Sequence, residues 1–168
     1  DHDLRIGSHG VYGDRCANYA VQNADLLIII GSRLDSRQTG GNGSLFSKHS
    51  KKVMVDVDLN EIEKLPERNI HIDHSICTNL KEFFINLQNS SIQTQFTDWK
   101  NTLNGWKTIY GDELTRKGDS AVYDYLSEFF RTLPCDSIVI PDQGGNLVWT
   151  MQSAKIKNNH KLFTNYGN

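Results

Sequence analysis

The alternation of apolar and polar positions changes period several times along the chain. From Asp14 to Ala24 (DRCANYAVQNA), Ala17, Ala20, Val21 and Ala24 recur at spacings of three and four. That pattern predicts a helix with one buried face and Asp14 as its amide cap. Leu26 to Ile30 (LLIII) is an unbroken apolar run, the pattern of a strand covered on both faces. Val53 to Asp58 (VMVDVD) alternates, with Val53, Val55 and Val57 on one face and Asp56 and Asp58 on the other. It reads as a second strand. A short helix in LNEIEKL, a brief third strand at Asn69–Ile72 (NIHI) and an amphipathic helix at Thr78–Leu87 follow. Helices alternating with strands predict an α/β fold, a parallel sheet with crossover helices.

The polar stretch from Gln88 to Gln95 (QNSSIQTQ) reads as a linker. Beyond it, Trp99, Leu103, Trp106 and Tyr110 fall on one helical stripe, expected to pack against a neighbouring domain. Another helix starts at a cap on Asp119 or Ser120 and turns Val122, Leu126, Phe129, Phe130 and Leu133 inward. A strand (Ile138–Pro141), a helix (NLVWTMQSA) and a further strand (HKLFTN) complete a second α/β unit. The expected organisation is 1–88 as one α/β unit, 89–118 as linker and connecting helix, and 119–168 as the start of a second unit.

Composition narrows the function. The 168 residues suffice for one well-buried domain or parts of two. A net charge of -2 with 23% charged residues supplies no basic field for nucleic acid. No apolar run approaches a membrane span, and no secretory leader pattern opens the chain. It begins at Asp1 rather than methionine, from which more sequence upstream is expected. Cys16, Cys77 and Cys135 are odd in number and scattered, as reduced thiols of a cytoplasmic protein would be.

The candidate chemistry clusters where strands meet glycine turns. After Ile30 the chain passes Gly31 and presents Arg33, Asp35 and Arg37. Open α/β sheets bind ligands just past the carboxyl ends of their strands. There Gly31 permits close backbone approach, Arg33 and Arg37 can pair with phosphate oxygens, and Asp35 can hold the guanidinium groups between them. Ordinary surface ion pairs are the alternative. Asp56 ends the next strand, near the spacing of roughly 20 residues at which dinucleotide-binding folds place a ribose-binding carboxylate. The G-x-G-x-x-G fingerprint itself is absent. Gly7 to Arg15 (GSHGVYGDR) is a glycine turn leading into a helix, either an anion cradle or a plain turn. His71 and His74 lack a third ligand nearby and read as surface residues. The Asp142–Asn146 turn (DQGGN) repeats the strand, glycine turn, helix layout and is a second candidate cradle.

Taken together, GSHG, ANYAVQNADLLIIIGSRLDSRQTG and KKVMVDVDLNEIEK closely resemble the central domain of acetolactate synthase-type thiamine diphosphate (ThDP) enzymes. IVIPDQGGNLVWTMQ and KLFTNYGN resemble the opening of their pyrophosphate-binding domain. The resemblance implies a Rossmann-like central domain. In flavin-binding members, the motif matching Gly31, Arg33, Asp35 and Arg37 contacts FAD, the stretch around Asp56 and Val57 helps hold it, and the match to His9 and Gly10 lies near it. The family's MHG is SHG here and its FDDRVTG is LDSRQTG, so FAD, an adenine nucleotide and an empty domain all stay open. Gln143, Gly144, Gly145 and Asn146 match the turn that contacts the ThDP diphosphate. Gly-Asn replaces a usual Gln-His pair, which points to a contact through the backbone.

The same resemblance implies that the activating glutamate lies in another domain and that the magnesium motif follows Asn168. No catalytic or metal-binding residue is then expected within this chain. It reads as an internal piece of a roughly threefold longer enzyme. That enzyme would decarboxylate a 2-oxo acid on ThDP and Mg2+ and pass the carbanion to a second carbonyl compound, its sites formed between chains of a homodimer or tetramer. The rival expectation is a non-catalytic Rossmann-like module for FAD, NAD or ADP. Residues 1–168 alone are expected to be inactive, with open sheet edges and apolar faces at Phe83, Phe84, Phe129 and Phe130.

Overall fold

A computed structural model of the chain describes residues 2–90, 95–111, 120–157 and 159–164. Two compact units divide it, Asp1–Lys107 and Thr108–Asn168. The first contains α1 (Arg15–Asn23), β1 (Leu26–Ile30), α2 (Ser36–Thr39), a 3-10 turn at Gly43–Leu45, β2 (Lys51–Asp56) and α3 (Leu59–Glu63). A 3-10 turn at Leu65–Arg68, β3 (His74–Cys77), α4 (Leu80–Gln88) and most of α5 (Thr97–Tyr110) follow. The sheet has the order β1-β2-β3 and is parallel throughout, with Ile28 opposite Val53 and Val53 opposite His74. Ile29, Leu34, Phe46, Met54, Ile62, Leu65 and Ile70 form its core.

The α/β class and parallel pairing match the sequence pattern, and several details differ for physical reasons. β1 has the expected limits, but only Leu27 and Ile29 are packed, while Leu26, Ile28 and Ile30 are exposed. As the outer strand of the sheet it is covered on one face among the described residues, not two. β2 lies between two strands, so it buries Met54, Val55 and Asp56 together instead of alternating. It also starts at Lys51, ahead of the apolar run.

The third strand is His74–Cys77 rather than Asn69–Ile72. Asn69 takes a left-handed conformation (φ 58°), and Ile70 N–H donates back to the Leu65 carbonyl at 3.1 Å, plugging Ile70 into the core. Pairing starts only at Asp73. Its amide donates to the Lys52 carbonyl (2.9 Å), and its carboxylate accepts from Lys52 N–H (2.8 Å). Asp14 stands at the start of α1 without capping it through its side chain. That carboxylate instead accepts from Ser8 N–H at 2.8 Å. The expected connecting helix, α5, lays Trp106 against Tyr19 of α1 (ring centroids 5.8 Å apart), with Trp99 edge-on to Trp106 at 5.7 Å.

Lys52 is buried, and its ammonium donates to the carbonyls of Ser47 (2.8 Å) and Ser50 (3.1 Å). Burial pushes its pKa below the ordinary lysine value of 10.5, with Asp73 opposing. Between the lowered value and 10.5 the unfolded chain holds the proton that the folded chain has lost. Stability of this unit should therefore rise with pH across that alkaline window. Chemical denaturation at a series of pH values checks this, and Lys52→Met should remove the rise.

The second unit contains α6 (Ser120–Thr132), β4 (Ile138–Val139), α7 (Gly145–Ser153) and β5 (Lys161–Leu162). β4 and β5 pair in parallel, Ile138 opposite Lys161. The strand expected to reach Pro141 stops at Val139. α6 packs on α7, joined by a hydrogen bond from the Tyr123 hydroxyl to the Gln152 side-chain carbonyl at 2.9 Å. Phe130 is fully enclosed, as its inward spacing predicts and against the expected exposed face, while Val122 and Phe129 on the same predicted face are partly solvent-facing. The proposed cap at Asp119, the linker positions 91–94 and the end of the last strand at Asn165 lie outside the described residues.

Candidate nucleotide and diphosphate sites

Parallel register sets the carboxyl ends of β1 and β2 side by side. Ile30 faces Val55, and Gly31 N–H donates to the Val55 carbonyl at 2.9 Å. Gly31 is left-handed (φ 57°), a conformation glycine adopts at little cost, and there the strand gives way to the loop carrying Arg33 and Arg37. Leu34 is also left-handed (φ 49°) yet only 2% exposed, because its side chain belongs to the core cluster. The core thereby turns the flanking residues outward.

Asp35, expected to lie between the two arginines, has a backbone role in this turn. It caps α2, accepting from Arg37 N–H (2.7 Å) and Gln38 N–H (3.2 Å). The Gln38 side chain returns a bond to Asp35 N–H, completing a capping box. Arg33 instead faces Glu61 of α3 at 3.8 Å, with its side chain 76% exposed. Glu61 also binds Lys64.

The Gly7–Asp14 loop lies against this turn. Val11 N–H donates to the Arg37 carbonyl at 2.7 Å. A Cβ at Gly10 would stand 2.5 Å from that same oxygen, so only glycine fits. Asn18 of α1 clamps the loop with both ends of its amide. Its Oδ1 accepts from Gly10 N–H (2.7 Å), and its Nδ2 donates to the Gly10 carbonyl (2.9 Å). His9 is half-buried, with its ring 6.4 Å from that of Phe46 and its Nε2 enclosed without a hydrogen-bond partner. Burial lowers its pKa, with Asp35 opposing, and keeps the imidazole neutral near pH 7.

Asp56 is buried and spends one carboxylate oxygen on Asp58 N–H at 3.0 Å, which shapes the turn after β2. Val57 is 73% exposed at the same edge. The first unit therefore gathers His9, Gly10, Gly31, Arg33, Asp35 and Arg37 into one loop pair, with Asp56 and Val57 on the adjoining strand end. His71 and His74 gain no third ligand: no group of three metal-binding side chains forms among the described residues.

In the second unit, Gln143 N–H donates to the Asp142 carboxylate at 2.7 Å. Gly144 (φ 104°, ψ -160°) stands at the N-terminus of α7, which carries no side-chain cap. Gly145 opens the helix, and a Cβ there would approach the Trp149 ring to 3.0 Å. Uncapped first-turn amides can take an anion.

Sequence reading missed Asn18, Glu61 and Arg68. The Arg68 guanidinium donates to the Leu34 carbonyl (Nη1, 2.5 Å) and to the Thr39 hydroxyl (Nη2, 3.2 Å). No local motif marks these residues: Glu61 and Arg68 act on the loop after β1 from the crossover beyond β2, and Asn18 reaches back to Gly10 from within α1.

The fold and its loops define a parallel α/β module with glycine turns at strand ends. A family model described as "thiamine pyrophosphate enzyme, central domain" matches residues 1–87, and the chain belongs to that family. It is 28% identical over 168 residues to the acetolactate synthase large subunit of Lactococcus lactis subsp. lactis, covering 99% of this chain and 28% of that protein. It is 30% identical to the acetolactate synthase isozyme 2 large subunit of Escherichia coli K12 (90% of this chain, 26% of that protein). Similarity to the chloroplastic acetolactate synthase 2 of Nicotiana tabacum is 27% (98% and 25%). The chain thus spans about a quarter of the length of the curated relatives it matches.

Proposed function

We propose that the full-length protein is a ThDP-dependent carboligase or decarboxylase acting on 2-oxo acids, similar to acetolactate synthase. The uncapped glycine start of α7 carries the reading on the structural side, because it offers backbone amides to a diphosphate at the position matching the family's ThDP turn. Similarity to acetolactate synthases along nearly the whole chain supports it over a free-standing nucleotide module. ThDP supplies the electron sink for the carbanion left when a 2-oxo acid loses CO2. Gln143, Gly144, Gly145 and Asn146 would hold its diphosphate, mainly through backbone N–H groups. Mg2+ would accompany that diphosphate.

In the first unit, the orphaned Nε2 of His9 and the exposed Arg33 suit a nucleotide such as FAD or ADP. His9, Gly10, Gly31, Arg33 and Arg37 would line its binding face. Asp35, Asp56 and the Asn18 clamp would hold the turns in shape, and Val57 would offer apolar surface. Three free thiols accord with a cytoplasmic setting. No described helix is long and apolar enough to cross a membrane. A homodimer or tetramer completes the proposal, by analogy with the family.

The test is turnover of the full-length protein. With ThDP and Mg2+ it should release CO2 from pyruvate and form a 2-hydroxy-3-oxo acid. Absence of turnover on pyruvate and on larger 2-oxo acids alike, with ThDP bound, would overturn the activity. For the nucleotide, calorimetry should show FAD or ADP binding the wild type and roughly tenfold or more weakened binding by Arg33→Ala. Equal binding by both would remove Arg33 from the site.

A further inference from the structure

Resting on the nucleotide reading of the first unit, we propose that Arg68 is a positioning residue that sets the phosphate-facing loop without touching the ligand. Leu34 is held left-handed and enclosed in the core, where a backbone carbonyl needs a hydrogen-bond donor. Arg68 Nη1 meets that carbonyl at 2.5 Å. Through Nη2 the same guanidinium reaches the Thr39 hydroxyl, which in turn donates to the Asp35 carbonyl at 3.0 Å. One planar group thus ties the loop ahead of Asp35 to the end of α2. Arg37 lies within the span it braces, and Arg33 directly precedes its first anchor, Leu34.

The base of Arg68 is itself fixed. Asn69, left-handed, donates its N–H to the Leu65 and Pro66 carbonyls and closes the 3-10 turn. Gly43 lies so close to the Arg68 carbonyl that a Cβ would overlap it. Glu61, from the same crossover between β2 and β3, receives Arg33. The crossover therefore grips the loop at two points, one through charge and one through a guanidinium fork. Lysine keeps the charge but has neither the planar fork nor its reach in two directions.

The experiment uses the full-length protein, with ADP and FAD as probes in calorimetry. Arg68→Ala and Arg68→Lys should both weaken binding, Arg68→Ala by roughly tenfold. Added ethylguanidinium should restore binding to Arg68→Ala but not to Arg33→Ala at the same concentration. The dependence of affinity on salt should be unchanged in Arg68→Ala and shallower in Arg33→Ala, because of these two residues Arg33 alone meets the anion. Wild-type affinity in both Arg68 variants would overturn the inference while leaving the nucleotide reading standing. So would a loss that ethylguanidinium does not reverse and that tracks lowered thermal stability. Failure of the wild type to bind either probe would remove the nucleotide reading and this inference together.

Discussion

Met54→Ala is expected to lower the unfolding free energy of the first unit by about 2–5 kcal/mol, the range for truncating an enclosed large apolar side chain. Met54 has no exposed surface. It sits on the middle strand, opposite Ile29 of β1 and Ser75 of β3, and shares its cluster with Leu34, Leu65 and Ile70. Those neighbours come from strand, loop and 3-10 turn, so the backbone cannot close the gap without moving several elements at once. Urea denaturation followed by tryptophan fluorescence should show a lower midpoint with little change in slope. Val57→Ala, two strand-end positions beyond Val55 and exposed, should stay within about 0.5 kcal/mol of the parent. Equal effects of the two substitutions would mean that Met54 is not enclosed in the full-length protein.

Gly144→Val is expected to weaken ThDP binding by roughly 5- to 150-fold, the equivalent of about 1–3 kcal/mol of backbone strain. Its φ of 104° with ψ of -160° belongs to a region that side chains avoid, and β-branched ones most. Nothing lies within 4 Å of a Cβ placed there, so crowding is not the cause. The valine variant should relax the turn, re-aim the first amides of α7 and leave the packing of Phe130 and Leu147 intact. Gly41→Ala, which has open space and no left-handed φ, serves as the control and should bind ThDP as the parent does. ThDP affinity unchanged by Gly144→Val in a Mg2+-containing titration would remove this turn from the diphosphate site.

What was legible in the sequence follows from local physics. Five apolar residues between Asp25 and Gly31 leave one phase for a strand, and β1 runs from Leu26 to Ile30. The stripe of Trp99, Leu103, Trp106 and Tyr110 is half-buried along α5, as its helical spacing requires. Glycine turns after strands marked both candidate sites, because a turn that must go left-handed advertises itself by its residue type. The alternation of helices and strands was enough for the α/β class and the parallel sheet.

The carboxylates were another matter. Asp14, Asp35 and Asp56 all read as partners for a helix end, an arginine or a ribose. In the folded chain each accepts from a nearby backbone amide: Ser8, Arg37 and Gln38, or Asp58. Which donor a short side chain meets depends on loop geometry that no periodicity encodes. The third strand moved from Asn69–Ile72 to His74–Cys77 because pairing with β2 chooses the register, while Ile70 was claimed by the core. By itself, then, the sequence determined the element types, the limits of β1 and the places where glycine was needed. Only the tertiary structure decided that Lys52 is buried and that Arg68 braces Leu34 and Thr39 from 34 and 29 positions away. Contacts at that separation exist only once the crossover has folded back over the sheet, and the chain carries no local signal of them.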